Sequence, residues 1–284
     1  MEAAWEVCQA RREPEVPVAA GGEALLRVLW TAWCAEEPQA AVRKVVAAAA
    51  IALEGQAGEE PGWYALLRGL EMLGWTGGEP VQVGRLRFPS LRQAGEAQVR
   101  RFPASPRLAV LGARLDGGAA AARAALAVNP AYAPARVVLG RALLREGSPK
   151  AARTLLEGVE QPERIQGGAV ALARARVETG EPGKALLAVA RETNAPGLAA
   201  LEPAIVDPAV AHEVDEVRGL ARLALGAVDD GARSLLRAAA GSHSARRALV
   251  AHAARPEVRR ALADLARDGS LSHAARTLAG VLAG

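Results

Sequence analysis

Residues 133–160, APARVVLGRALLREGSPKAARTLLEGVE, contain two short apolar-periodic runs joined by a turn. The first run sets Val137, Val138, Leu139, Ala142, Leu143 and Leu144 along one helix. The second sets Ala151, Ala152, Leu155, Leu156 and Val159 on a single helical stripe. Between them, Gly147 suits a left-handed helix end, and Ser148-Pro149 suits the start of the next helix. The spacing predicts an antiparallel helix pair. Alone, each helix would expose its stripe to water, so the pair makes sense only when stacked on others.

The pattern recurs downstream. Gly180 stands 33 residues after Gly147 and is followed by Glu181-Pro182, as Gly147 is by Ser148-Pro149. A first unit is expected at 105–132, ending in AALAVNPAYAP, and a third at 166–193. Two proline-containing turns between Asn194 and Pro208 interrupt the period. Helices over 209–225 and 231–240 then make a fourth unit, 242–254 adds a helix without an assigned neighbour, and 256–282 closes the series. In that last unit Gly269 precedes Ala274, Leu278 and Val281 at the offsets by which Gly147 precedes Ala152, Leu156 and Val159.

Upstream, apolar periodicity predicts helices over 1–12, 23–35, 39–53 and 63–73, an N-terminal helical bundle. Trp5, Trp30, Trp33 and Trp63 supply bulk to a core otherwise rich in alanine, with Trp75 just beyond. The expected organisation is therefore a bundle at 1–75, a basic irregular connector at 76–104 and repeats at 105–284.

Periodicity breaks down across the connector. Read as one strand, Val81 to Phe88 sets Val81, Val83, Arg85 and Arg87 against Gln82, Gly84, Leu86 and Phe88. Both faces then mix polar and apolar groups, which suits an extended connector or a short hairpin lying on helices rather than a sheet domain. Residues 81–107 hold six arginines against the single acid Glu96, a local charge of +5 in a chain whose total is +4. Arg85, Arg87, Arg92, Arg100 and Arg101 are thus candidates for an anion-binding strip, although a solvated connector also accommodates them.

Composition bounds the rest. The chain is 51% hydrophobic but only 3% aromatic, with alanine dominant, which favours closely packed helices and an all-α fold. Its positive charge comes almost wholly from arginine, an excess that a GC-rich coding background also produces. Cys8 and Cys34 fit no metal or redox spacing and read as buried thiols. The first residues lack a signal-peptide core, and Val45–Leu53 is too short to span a bilayer, so the expected location is cytoplasmic. No glycine pattern fits a nucleotide loop, and His212, His243, His252 and His273 include no pair three or four apart. No catalytic set, metal site or cofactor is expected.

The units resemble tetratricopeptide repeats, helical pairs of about 34 residues with small residues at fixed contacts. Leu139-Gly140, Ala152 and Leu156 carry the resemblance in the second unit. Leu172-Ala173, Ala185 and Val189 carry it in the third, and Ala261-Leu262, Ala274 and Leu278 in the last. The family's aromatic positions are replaced, which leaves a related HEAT-like or Sel1-like pair open. The resemblance implies a right-handed α-hairpin solenoid that binds a peptide on the concave side of its first helices. The matching positions are Val137, Arg141, Leu144 and Arg145, then Val170, Arg174, Val177 and Glu178, then Arg259, Ala263, Ala266 and Arg267. An arginine row of this kind suits an acidic protein or peptide segment. The expected function is a non-enzymatic adaptor or regulatory subunit. The alternatives are a nucleic-acid or anionic-surface binder using 81–107, and a self-assembling homo-oligomer.

Overall fold

The computed structural model describes residues 21–32, 37–55, 58–75, 78–116, 119–160, 162, 165, 167–194 and 208–284. The helix expected over 1–12, both cysteines, Trp5, Trp33 and residues 195–207 lie outside them. The chain divides into two compact units, Met1–Ala142 and Leu143–Gly284.

The first unit begins with α1 (Gly22–Ala32), α2 (Pro38–Gly55) and α3 (Glu60–Met72), which pack pairwise. Their apolar stripes meet in a core that buries Leu25, Leu29, Val42, Val45, Leu66 and Leu67 to within 1% of full burial. Pro61 stands in the first turn of α3, where its missing N–H costs no hydrogen bond. Gly74, at φ 86°, ends that helix by letting the Trp75 N–H reach the Leu70 carbonyl. Trp63 is buried and meets Phe88 edge-on at 6.0 Å, so this tryptophan fills core.

The connector is more ordered than its sequence reads. Strands β1 (Val81–Val83) and β2 (Leu86–Phe88) pair antiparallel, with Val81 opposite Phe88, Gln82 opposite Arg87 and Val83 opposite Leu86. Of the two readings offered for this stretch, the short hairpin lying on helices is the one present, and an alternation carried straight through residues 84–85 would put Leu86 and Phe88 on the wrong face. A two-residue turn returns partners 83 and 86 to the same side, so all four apolar residues face the core while Gln82 and Arg87 face out. Gly84 takes φ 57° at the turn, and the Arg85 N–H donates to Glu54 Oε1 at 2.6 Å.

A correction concerns α4 (Leu91–Arg101), a helix where irregular chain was expected. Ser90 caps it, accepting from the Gln93 N–H at 3.1 Å. Its inner stripe is Leu91, Ala94, Gly95 and Gln98, with only one large apolar side chain to signal a period. Helices α5 (Pro106–Asp116) and α6 (Ala119–Val128) follow and pack on each other, and α5 also packs on α4 and α3. Helix α7 (Ala133–Arg145) crosses the boundary between units.

The second unit continues with α8 (Pro149–Glu157), α9 (Gly168–Glu178), α10 (Pro182–Asn194), α11 (Pro208–Ala224) and α12 (Val228–Ala239). Helix α9 packs on α8 and α10, and α11 packs on α9, α10 and α12. Each new first helix thus covers a preceding helix or pair, which buries stripes that no isolated pair could bury. The first helices end alike. Gly147, Gly180 and Gly226 have φ of 73°, 84° and 82°, and the next residue's N–H reaches back to Leu143, Arg176 and Arg222 at 2.8, 2.7 and 2.9 Å. This double-bonded left-handed cap answers the carbonyls each helix leaves open.

Helices α11 and α12 touch through glycine. A Cβ on Gly219 would fall 2.6 Å from Leu235 Cγ and 3.0 Å from the Gly231 carbonyl oxygen. Here the small-residue contact expected of such pairs is exacting, and Gly140 is buried in α7. Helices α13 (His243–Ala253), α14 (Pro256–Leu265) and α15 (His273–Ala283) complete the unit and pack on α12. Gly269 does not repeat the left-handed cap. Its turn is held instead by Asp268, which accepts the Ser270 N–H at 2.9 Å and an Arg233 N–H at 2.6 Å.

Candidate interaction surfaces

In the second unit the first helices α9 and α11 lie side by side, and their shared polar chemistry centres on Arg174. Its Nε donates to Glu178 Oε1 at 3.0 Å, one turn along α9, and its Nη1 to Glu216 Oε1 at 3.2 Å on α11. Burial works against the charge, yet the bond to Glu178 and the charges of Glu216, Glu178 and Glu213 hold the pKa above the ordinary arginine value. Glu216 is only 1% exposed. Its second oxygen accepts the hydroxyls of Ser242 at 3.0 Å and Ser244 at 2.6 Å. Ser242 also caps α13 through the Ala245 N–H. One buried carboxylate thereby ties α9, α11 and the helix that the sequence left without a neighbour.

The sequence missed Glu216 and its serines. The available signal was an acid beside Val214 and Val217 on an inward stripe, followed downstream by Ser-His-Ser. A buried acid in such a place requires donors, and hydroxyls are the cheapest to supply.

The proposed partner residues are placed unevenly. Val137 and Val170 are each 2% exposed and belong to the core, so neither presents surface to a partner. Arg174 is committed to two carboxylates, and the expected arginine row is at that point a mixed cluster. Arg259 is exposed but its Nε donates to the Ala253 carbonyl at 3.3 Å, closing the end of α13. Arg141, Leu144 and Val177 are half-buried, whereas Arg145 and Glu178 are exposed.

In the first unit all five arginines of the connector strip are exposed. Arg85 stands 3.8 Å from Glu54, and Arg92 pairs with Glu96 at 3.0 Å. Arg87, Arg100 and Arg101 have no ion-pair partner among the described residues. Arg101 places its guanidinium 5.3 Å from the centre of the Phe102 ring, and Arg100 and Arg101 both meet the negative end of the α4 dipole.

The sixth arginine, Arg107, turns inward. It donates to Glu60 at 2.6 Å and Glu23 at 3.4 Å, while Ser105 donates to the other Glu60 oxygen at 2.6 Å. Burial opposes the Arg107 charge, and the two carboxylates nonetheless hold its pKa above the ordinary value. Tyr132 lies near this cluster, and its pKa is pushed up to about 12, chiefly by burial. A second cluster joins α3 to α5, with Glu71 accepting from Arg68 and, at 2.7 Å, from Arg114. Both are connections within the core boundary of the unit.

Among the described residues no group of three or more His, Cys, Asp or Glu is placed to hold a metal ion. No described helix is long and apolar enough to cross a membrane.

No protein-family model and no curated protein sequence matches the chain. Among solved structures it is similar to a chain in the crystal structure of the APC/C hetero-tetramer Cut9–Hcn1, with a TM-score of 0.45, 13% identity, and coverage of 92% of this chain and 56% of that one. It is also similar to a chain in the structure of Naa15/Naa10 bound to HypK-THB, with a TM-score of 0.31, 15% identity, and coverage of 98% and 44%. The chain spans about half the length of these two. The helical-hairpin assignment rests on the pairing and capping of its own helices.

Proposed function

We propose that the protein is a non-enzymatic helical-repeat adaptor whose second unit holds a segment of another protein along the first helices of its pairs. The observation that carries this reading is the repeated pair: α9 and α11 adjoin, and both pack on α10. Surfaces of this kind suit extended recognition, because each pair adds a similar helix to a continuous face. The right-handed solenoid and a separate N-terminal bundle belong to the same proposal.

The chemistry of the face refines the expected partner. Arg174 cannot fork onto an incoming carboxylate without giving up Glu178 or Glu216, and Arg145 stands exposed at the end of α7. Glu178 offers a carboxylate beside Arg174. A partner segment with both signs of charge fits better than a purely acidic one.

The test is purification of the intact protein from its own cells, wild type beside a double variant, R145E with E178K. Both residues are exposed, so folding should survive, which far-UV circular dichroism checks. A stoichiometric protein that accompanies the wild type and is lost from the folded variant supports the proposal. Retention of that protein by the variant removes this face from consideration.

A further inference from the structure

Two patches of the second unit carry charges that its packing does not neutralise, one at each end of α12. At the start of that helix Asp229 and Asp230 are exposed, and neither carboxylate has a hydrogen bond or ion pair among the described residues. The turn leading into it leaves Leu225 55% exposed. At the far end, Arg246 of α13 donates through Nε to the Ala239 carbonyl at 2.6 Å, which fixes its place. Arg247 follows, exposed and with no side-chain partner among the described residues, and Val250, 56% exposed, stands one turn further along. Helix α13 contains no acid, and no described carboxylate pairs with either arginine from another helix.

Local roles account for part of this. The two acids favour the positive end of α12, and Arg246 favours its negative end. Those roles leave the net charges in place, and they assign nothing to Arg247, Leu225 or Val250.

Two features select the occupant. The patches complement each other, since one joins adjacent acids to an exposed leucine and the other joins adjacent bases to an exposed valine. They also stand a helix apart, roughly 18 Å for the 12 residues of α12. Two copies whose α12 helices run antiparallel set acid against base, and Leu225 near Val250, at both ends of one contact. Nucleic acid or an acidic protein segment would engage the basic patch alone, and α13 has no Phe, Tyr or Trp on which a base could stack.

We propose that two copies of the protein associate through their second units in this two-fold manner, with Asp229, Asp230 and Leu225 of each against Arg246, Arg247 and Val250 of the other. The contact closes at two copies, because both patches of each are then occupied. It shares no residue with the variant that tests the adaptor reading, so the two stand or fall separately.

The experiment follows the solution mass of the full chain by sedimentation equilibrium, from about 1 μM to about 1 mM, at about 0.15 M salt. The mass is expected to rise toward that of two chains and stop there. D229K/D230K and R246E/R247E, each shown to be folded by circular dichroism, are expected to associate about tenfold or more weakly when alone. R247E leaves the Arg246 bond to α12 intact and should weaken association in the same direction. An equimolar mixture of the two double variants again sets acid against base at both ends, and it is expected to recover the wild-type association. A wild type that stays single, or that grows beyond two chains, overturns the proposal. So does unchanged association in folded D229K/D230K and R247E, or a mixture that associates no better than its components. A single wild-type chain that binds a polyglutamate peptide or a short DNA duplex, with loss of that binding in R247E, gives the basic patch to another occupant and overturns the proposal as well.

Discussion

Glu216 concentrates more dependence than any other described side chain in the second unit. Three polar groups converge on it, Arg174 from α9 and Ser242 and Ser244 from the start of α13. Glu216→Ala removes the acceptor shared by Arg174, Ser242 and Ser244 and leaves Arg174 with Glu178 as its remaining carboxylate. The expected loss is about 2–3 kcal/mol in chemical denaturation, at the lower end for a broken buried pair because Arg174 keeps some access to water. Glu216→Gln keeps the shape and one carbonyl oxygen and should cost clearly less. Equal losses in the two variants would show that packing, not charge, sets the contribution. Gly219 makes the opposite kind of demand. Gly219→Ala improves helix propensity by about 1 kcal/mol, yet its methyl would press on Leu235 and the Gly231 carbonyl. The helices must part, and a net loss of about 1–2 kcal/mol is expected. A stabilised variant would mean that the pair is more loosely packed than these distances imply.

At the scale of the element, the shared left-handed caps make a cleaner experiment, since no side chain crowds them. A Cβ on Gly180 would meet nothing within 4 Å, so Gly180→Ala tests backbone strain alone. The expected cost is about 1 kcal/mol by denaturation, and Gly226→Ala should match it because its geometry matches. These caps were the most legible part of the chain. A glycine at the end of an apolar run, followed by a proline start, announces both a helix end and the next beginning, and Gly147 and Gly180 repeat that signal at a fixed spacing. Gly226 escaped notice because residues 195–207 lengthen its interval and no proline follows it. The connector was only partly legible, with its hairpin one of two readings and α4 unread, for another reason. Its hairpin reverses phase at a two-residue turn, and α4 buries alanine, glycine and glutamine, so neither element displays its period in apolar residues. The candidate surface in the second unit was half legible. Helical periodicity places Arg174 on a first helix, but only the neighbouring helix supplies Glu216 and converts a presumed ligand contact into a tie.

For the molecule as a whole, the two units differ in what can report on them. Every tryptophan, at positions 5, 30, 33, 63 and 75, belongs to the first unit, so tryptophan fluorescence follows that unit, whereas far-UV circular dichroism follows helices in both. Ionisation supplies a separate handle on each. In the first unit, Tyr132 titrates near 12 when folded, against an ordinary value of 10. Its raised pKa means that the folded state holds a proton the unfolded state has released, so its contribution is present below pH 10 and lost as the pH rises toward 12. In the second unit Asp268 is held at about 2 by hydrogen bonds from Ser270 and by Arg233. Here the folded state has released the proton first, so the contribution is present above the ordinary value near 3.8 and lost as the pH falls toward 2. Asp268→Asn removes that dependence. Between pH 4 and pH 2 the wild type should therefore lose more stability than the variant when denaturation is followed by circular dichroism, and the two should coincide when it is followed by tryptophan fluorescence. A fluorescence difference as large as the dichroism difference would mean that both units unfold in one transition, because a charge in the second unit would then govern the exposure of tryptophans in the first.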